Sequence, residues 1–181
     1  MSTATPGSTP DPSETAGSAG AGSATPGSGA ANGEDPRQEA LAAEHAAVWT
    51  YAALAARTSR SANPGLLKRL EASYDAHEIA RDRLLSALAD QPDGPAIASP
   101  SYPLPTRLTT PAALRAAAAD VETHCNEVYA WLVSRSAGVE RANAMTALEM
   151  GAVRELALRG TPEMFPGATE LADRIGLDTG P

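Results

Sequence analysis

The sequence predicts an all-α protein: one antiparallel four-helix bundle from about Asp35 to Arg159, with a single long proline-rich crossover between helices 2 and 3. Three observations predict it. From Pro36 onward the chain is rich in Ala, Leu, Arg and Glu, and apolar positions recur at three- and four-residue steps, the period of a helix with one buried face. Turn signals at Ser61-Ala62-Asn63-Pro64-Gly65 and at Ala137-Gly138 are short enough to join antiparallel neighbours. Between them, Gln91–Thr109 holds Pro92, Pro95, Pro100, Pro103 and Pro105, which forbid a helix and favour an extended path. At about 3.1 Å per residue that segment reaches roughly 60 Å, whereas a helix of about 25 residues is about 38 Å long. The connection can therefore run the length of the bundle.

The first helix is expected from about Pro36 to Arg60, with Pro36 suited to a helix start. The second runs from about Pro64 to Asp90. Thr110-Pro111, a cap followed by a first-turn proline, opens the third, which continues to about Ala137. The fourth ends near Gly160, before Thr161-Pro162. The expected organisation is a tail over residues 1–35, a bundle over 36–167 and a C-terminal segment over 168–181.

The tail is almost entirely Ser, Thr, Ala, Gly and Pro, and Asp11, Glu14, Glu34 and Asp35 give it −4 of the formal charge of −8. Such a stretch buries too little apolar surface to offset the entropy of ordering it, so a disordered tether is expected. It has neither the basic nor the apolar region of a signal peptide. No stretch approaches the roughly 20 apolar residues of a membrane helix. The acidic balance and the lack of a basic stripe argue against nucleic acid and anionic lipid as partners. The single cysteine, Cys125, rules out an intramolecular disulfide and fits a reducing compartment, so a cytoplasmic location is expected.

The informative feature is polar residues on faces that should be buried. The second helix carries Leu67, Leu70, Tyr74, His77, Arg81, Leu84 and Leu88 at alternating steps of three and four, apolar at its ends and polar at its centre. In the fourth, Ala142, Met145, Glu149, Ala152 and Leu156 repeat the spacing around Glu149. In the third, Ala118, Val121, Cys125, Val128 and Leu132 form the seam, with Glu122 and His124 on its shoulders. In the first, Leu41, Glu44, Val48 and Ala55 share a face, with His45 beside Glu44. Each polar group lies near the middle of its helix, and antiparallel packing brings midpoints level. One buried polar layer of Glu44, His45, His77, Arg81, Glu122 and Glu149 is expected.

The motifs Ala43-Glu44-His45, Tyr74-Asp75-Ala76-His77 with Arg81-Asp82, Tyr102-Pro103-Leu104-Pro105 and Phe165-Pro166-Gly167 come in an order and spacing that resembles the ferritin-like superfamily. Most of all they resemble an actinobacterial ferritin-like domain family of unassigned function. The resemblance covers most of Leu41 to Gly167 and implies a carboxylate from each helix at mid-height. Metal-binding members of that superfamily use a Glu on each of two helices and a Glu-x-x-His on each of the others. This chain has no Glu-x-x-His: three residues after Glu44, Glu71, Glu78, Glu122 and Glu149 come Ala47, Tyr74, Arg81, Cys125 and Ala152. A guanidinium at Arg81 would stand where the second-helix histidine is needed and could neutralise the carboxylates instead.

Two functional readings follow. The favoured one is a non-catalytic helical module with a buried ion-pair layer in place of the metal site, needing no cofactor and working through a homodimer or another protein partner. The alternative is a carboxylate-bridged iron or manganese protein of oxidation or metal handling, drawing on Glu44, His45, His77, Glu122 and Glu149. The sequence leaves open whether the chain is an enzyme. It has no glycine-rich phosphate loop, Gly-x-Ser-x-Gly elbow, Cys-x-x-Cys or His-Glu-x-x-His. Trp49, Tyr51, Tyr129 and Trp131 are expected to serve mostly as packing, and an exposed cluster of them would make a dimer surface.

Overall fold

The computed structural model describes Met1 and residues 35–168. Most of the expected tail (residues 2–34) and most of the C-terminal segment (169–181) lie outside the described residues. Four helices follow in order: α1 Pro36–Arg57, α2 Pro64–Leu88, α3 Pro111–Arg135 and α4 Gly138–Arg159. Local chemistry sets their ends. The Asp35 carboxylate accepts from the Arg37 backbone N–H at 2.9 Å, and Pro36 occupies the first turn, where its missing N–H costs nothing. Asp35, read from sequence as the last residue of the tail, is therefore the cap of the bundle. Thr110 Oγ1 likewise accepts from Ala113 N at 3.1 Å to start α3. Gly160, at φ 79°, ends α4 in the left-handed conformation that glycine tolerates.

Side-chain pairs set the register. Arg37 reaches the Ala87 carbonyl (3.2 Å) and His77 reaches Glu44, so α1 and α2 run antiparallel. Tyr51 meets Glu122 and Tyr129 meets Glu44, so α1 and α3 do too. Leu158 clusters with Leu114 and Ala118, and Ala144 with Val128 and Leu132, so α3 and α4 form an antiparallel hairpin. The chain between α2 and α3 traverses the bundle along the outside of α1. Gln38 holds the Gly94 carbonyl and the Ala96 N–H at 2.7 and 2.9 Å, Trp49 packs on Tyr102, and Leu108 packs on the core at the far end.

The apolar core has two parts. One gathers Tyr51, Leu54, Leu66, Leu70, Leu114 and Ala118; the other gathers Ala40, Ala47, Cys125, Val128, Leu132 and Ala144. Polar side chains fill the level between them. The core face of α4 differs from the expected one. Ala144, Gly151, Glu155 and Leu158 are buried, while Met145, Glu149 and Leu156 face out. Alanine occurs on both sides of this helix, so periodicity alone did not fix which face turns inward. The fourth side of the bundle is open: a groove of about 900 Å³ separates α2 from α4, with Tyr129 and Leu132 of α3 at its floor.

Gly151 explains how α4 seats against α3. A Cβ there would lie 2.0 Å from Asn126 Oδ1, and that amide is itself held by Glu155 Oε2 at 2.8 Å. Gly151→Ala should lower the thermal midpoint, because overpacking of about 1–3 kcal/mol outweighs a gain in helix propensity of at most about 1 kcal/mol. Circular-dichroism melting checks this, and an unchanged or higher midpoint would show that the two helices do not need the close approach.

Candidate functional site

The level between the core halves holds one hydrogen-bonded cluster with a contribution from every helix. His77 on α2 is its hub and is completely buried. Its Nδ1 lies 2.7 Å from Glu44 Oε2 on α1, and its Nε2 lies 3.3 Å from Glu122 Oε1 on α3. Tyr129 O–H donates to Glu44 Oε1 at 2.6 Å, and Tyr51 O–H donates to Glu122 Oε1 at 2.7 Å. The Tyr51 ring also stacks on the imidazole at 5.2 Å between centroids. From α4, Arg154 Nε donates to both Glu122 oxygens, at 2.9 and 3.1 Å.

The charges balance: two carboxylates face an imidazolium and a guanidinium. Burial alone would lower the His77 pKa, but hydrogen bonds to Glu122 and Glu44, with their charges, lift it to about 9. At neutral pH the ring is therefore doubly protonated and donates from both nitrogens. Burial would raise the Glu122 carboxyl, yet His77 and Arg154 hold it below its ordinary value. Burial, reinforced by the neighbouring carboxylates, raises the hydroxyls of Tyr51 and Tyr129 and the Cys125 thiol, so all three stay protonated. Cys125 is consequently an unreactive core thiol.

A second network lies nearer the end of α4. Glu155, almost fully buried, accepts from Thr123 Oγ1 and Asn126 Nδ2, both at 2.8 Å, and pairs with Arg159 at 3.1 Å. Its polarity is again internal to the α3–α4 seam.

Of the residues expected in the layer, the structure brings together Glu44, His77 and Glu122. The other three stand elsewhere. His45 points away from the core beside Glu44, since adjacent helical residues diverge by about 100°, and its Nε2 lies 3.3 Å from the Ala96 carbonyl of the crossover. Arg81 keeps its guanidinium at the surface, on Glu78 (3.3 Å) and Asp82 (2.8 Å) of its own helix, where water relieves the cost of burying it. Glu149 is exposed on the outward face of α4. An arginine does neutralise a buried carboxylate, but it is Arg154. The signal that could have found it is the stripe Ala144, Leu148, Gly151, Glu155 and Leu158, whose mid-helix glycine marks a close approach. The aromatic residues do not form one surface either: Tyr51 and Tyr129 are inside, Trp49 lies under Tyr102, and Arg135 covers Trp131 at 5.6 Å.

A helical domain with a saturated polar layer is thus the class of protein that the fold and site define. The chain belongs to the family described as a domain of unknown function, DUF4439, whose model matches residues 36–170. The crystal structure of a conserved hypothetical protein, rv2844, from Mycobacterium tuberculosis is similar at 24% identity and a TM-score of 0.63, covering 69% of this chain and 92% of that one. This is a likeness of fold. None of the curated proteins matches the chain. No described helix is long and apolar enough to cross a membrane.

The raised pKa of His77 makes stability depend on pH. An imidazole at 6.5 in the unfolded chain and about 9 in the fold contributes fully below pH 6.5 and loses its contribution as pH rises toward 9. The full loss is of order 3 kcal/mol. Glu122, whose pKa is lowered, acts at the other limb, where its contribution fades as pH falls below 4.5. The thermal midpoint should fall between pH 6.5 and 9, and His77→Gln should flatten that slope. A midpoint constant or rising across this window in the parent protein would contradict a charged His77.

Proposed function

We propose that this domain is a non-catalytic, ferritin-like helical module whose buried ion-pair layer takes the place of a metal site, and that it works through protein contacts. The observation that carries the reading is His77, both of whose ring nitrogens are engaged by carboxylates. A metal ligand needs a neutral imidazole with a free nitrogen lone pair. Here one carboxylate is held at each nitrogen, and Arg154 forks both oxygens of Glu122. An ion at this level would have to displace a proton and sit beside a fixed guanidinium charge. Among the described residues no three His, Cys, Asp or Glu side chains are placed to hold a metal. The donor set therefore does not fit a di-iron or di-manganese centre. The neutral layer instead serves to fix helix register.

Elemental mass spectrometry of protein purified without chelators or an affinity tag is the direct test. Iron and manganese well below one per chain are expected. Near-stoichiometric metal that disappears in Glu122→Gln would overturn the proposal in favour of the oxidation or metal-handling reading. Arg154→Leu provides an independent check: it should cost about 3 kcal/mol by leaving a buried carboxylate short of a partner, read by denaturant unfolding. Unaltered stability would show that the guanidinium does not serve the layer.

A further inference from the structure

We infer that the outward face of α4 is the interface of a homodimer, in which α4 of a second copy lies antiparallel against it. The inference rests on the protein-contact reading above and names the partner. Among the described residues the large exposed hydrophobic side chains concentrate on α4. Val139 is 78% exposed, Val153 60%, Met150 54%, Met145 45% and Leu156 41%. They recur along one outward face at the helical period, where a solvated helix carries polar residues. Single exposed apolar residues are ordinary, but an aligned set on one helix face marks a contact surface. Of the five, Val139 also lines the α2–α4 groove, as does Ile79 of α2, which is 54% exposed.

The face is complementary to itself, which is what a two-fold interface requires. When two copies of α4 run antiparallel about an axis near Thr146, Val139 of one is level with Val153 of the other, and Ala142 is level with Met150. Valine thus meets valine, and alanine meets methionine. Glu149 comes within two residues, about 3 Å along the axis, of the level of Arg141 of the second copy. Both are exposed, on the same flank of α4, and neither side chain makes a hydrogen bond or ion pair among the described residues. A parallel pairing in register would instead set Glu149 against Glu149 and Arg141 against Arg141. Charge thus selects the antiparallel arrangement.

Sedimentation velocity of the full chain across about 1–100 µM, bracketing the micromolar range of weak specific contacts, tests the inference. The expected result is a concentration-dependent species of twice the chain mass. Val153→Arg should raise the dissociation constant by about a hundredfold and leave the helical signal intact, as burial of an unpaired charge within a contact demands. Glu149→Arg and Arg141→Glu should each weaken the dimer by about three- to tenfold, and the double exchange should recover most of the loss. A monomer throughout the range overturns the inference, as does a dimer indifferent to Val153→Arg. Metal content is independent of both outcomes, so failure here is distinguishable from failure of the structural reading of the layer.

Discussion

Everything in this bundle is arranged around an imidazole that cannot be exposed and cannot be left unpaired. His77 sits at the mid-height of α2 and holds Glu44 of α1 and Glu122 of α3 on its two nitrogens. A hydrogen bond to a charged partner is strong and directional, and in a dry core the alternative to making it is an orphaned charge. Slippage of any of the three helices by one turn, about 5.4 Å, would break the set. The apolar clusters on either side, rich in alanine, bring the helices together but discriminate poorly between neighbouring registers. The polar layer supplies the discrimination.

Arg154 completes the charge balance and draws α4 into the same level. Its contact depends on backbone approach as well as charge. Gly151 lets α4 close on Asn126, and one turn further Glu155 takes up Thr123, Asn126 and Arg159. The α3–α4 seam is therefore fastened by two carboxylates, Glu122 and Glu155, one on each helix. The α2–α4 side has no such fastening. The same α4 that contributes Arg154 inward turns Val139, Met150 and Val153 outward, so the helix that closes the polar layer is also the one with an unsatisfied apolar face.

Two residues expected in the polar layer, His45 and Arg81, have structural work elsewhere that only the packing discloses. His45 and Gln38 fix the crossover to the outer face of α1, and Trp49 receives Tyr102 beside them. The proline-rich segment is thereby tied down along a helix rather than left to loop away. Arg81 joins Glu78 and Asp82 at the surface, and such an exposed pairing contributes little to stability.

The sequence by itself determined the four helices, their order and the long crossover. Capping residues and prolines act locally, and hydrophobic period reports a buried face. It also pointed to Glu44, His77 and Glu122, because polar residues flanked by apolar ones along a buried stripe can only face partners. It could not choose between faces of α4, where alanine is spread around the helix and the two candidate stripes differ by a rotation of about 120°. Tertiary structure made that choice through one close contact, Gly151 against Asn126, which no single-helix pattern contains. With it went the selection of Arg154 over Arg81 as the cation on Glu122, the exposure of Glu149, and the outward apolar face. Long side chains reach several levels and directions, so which guanidinium meets which carboxylate is settled only when the helices are in place.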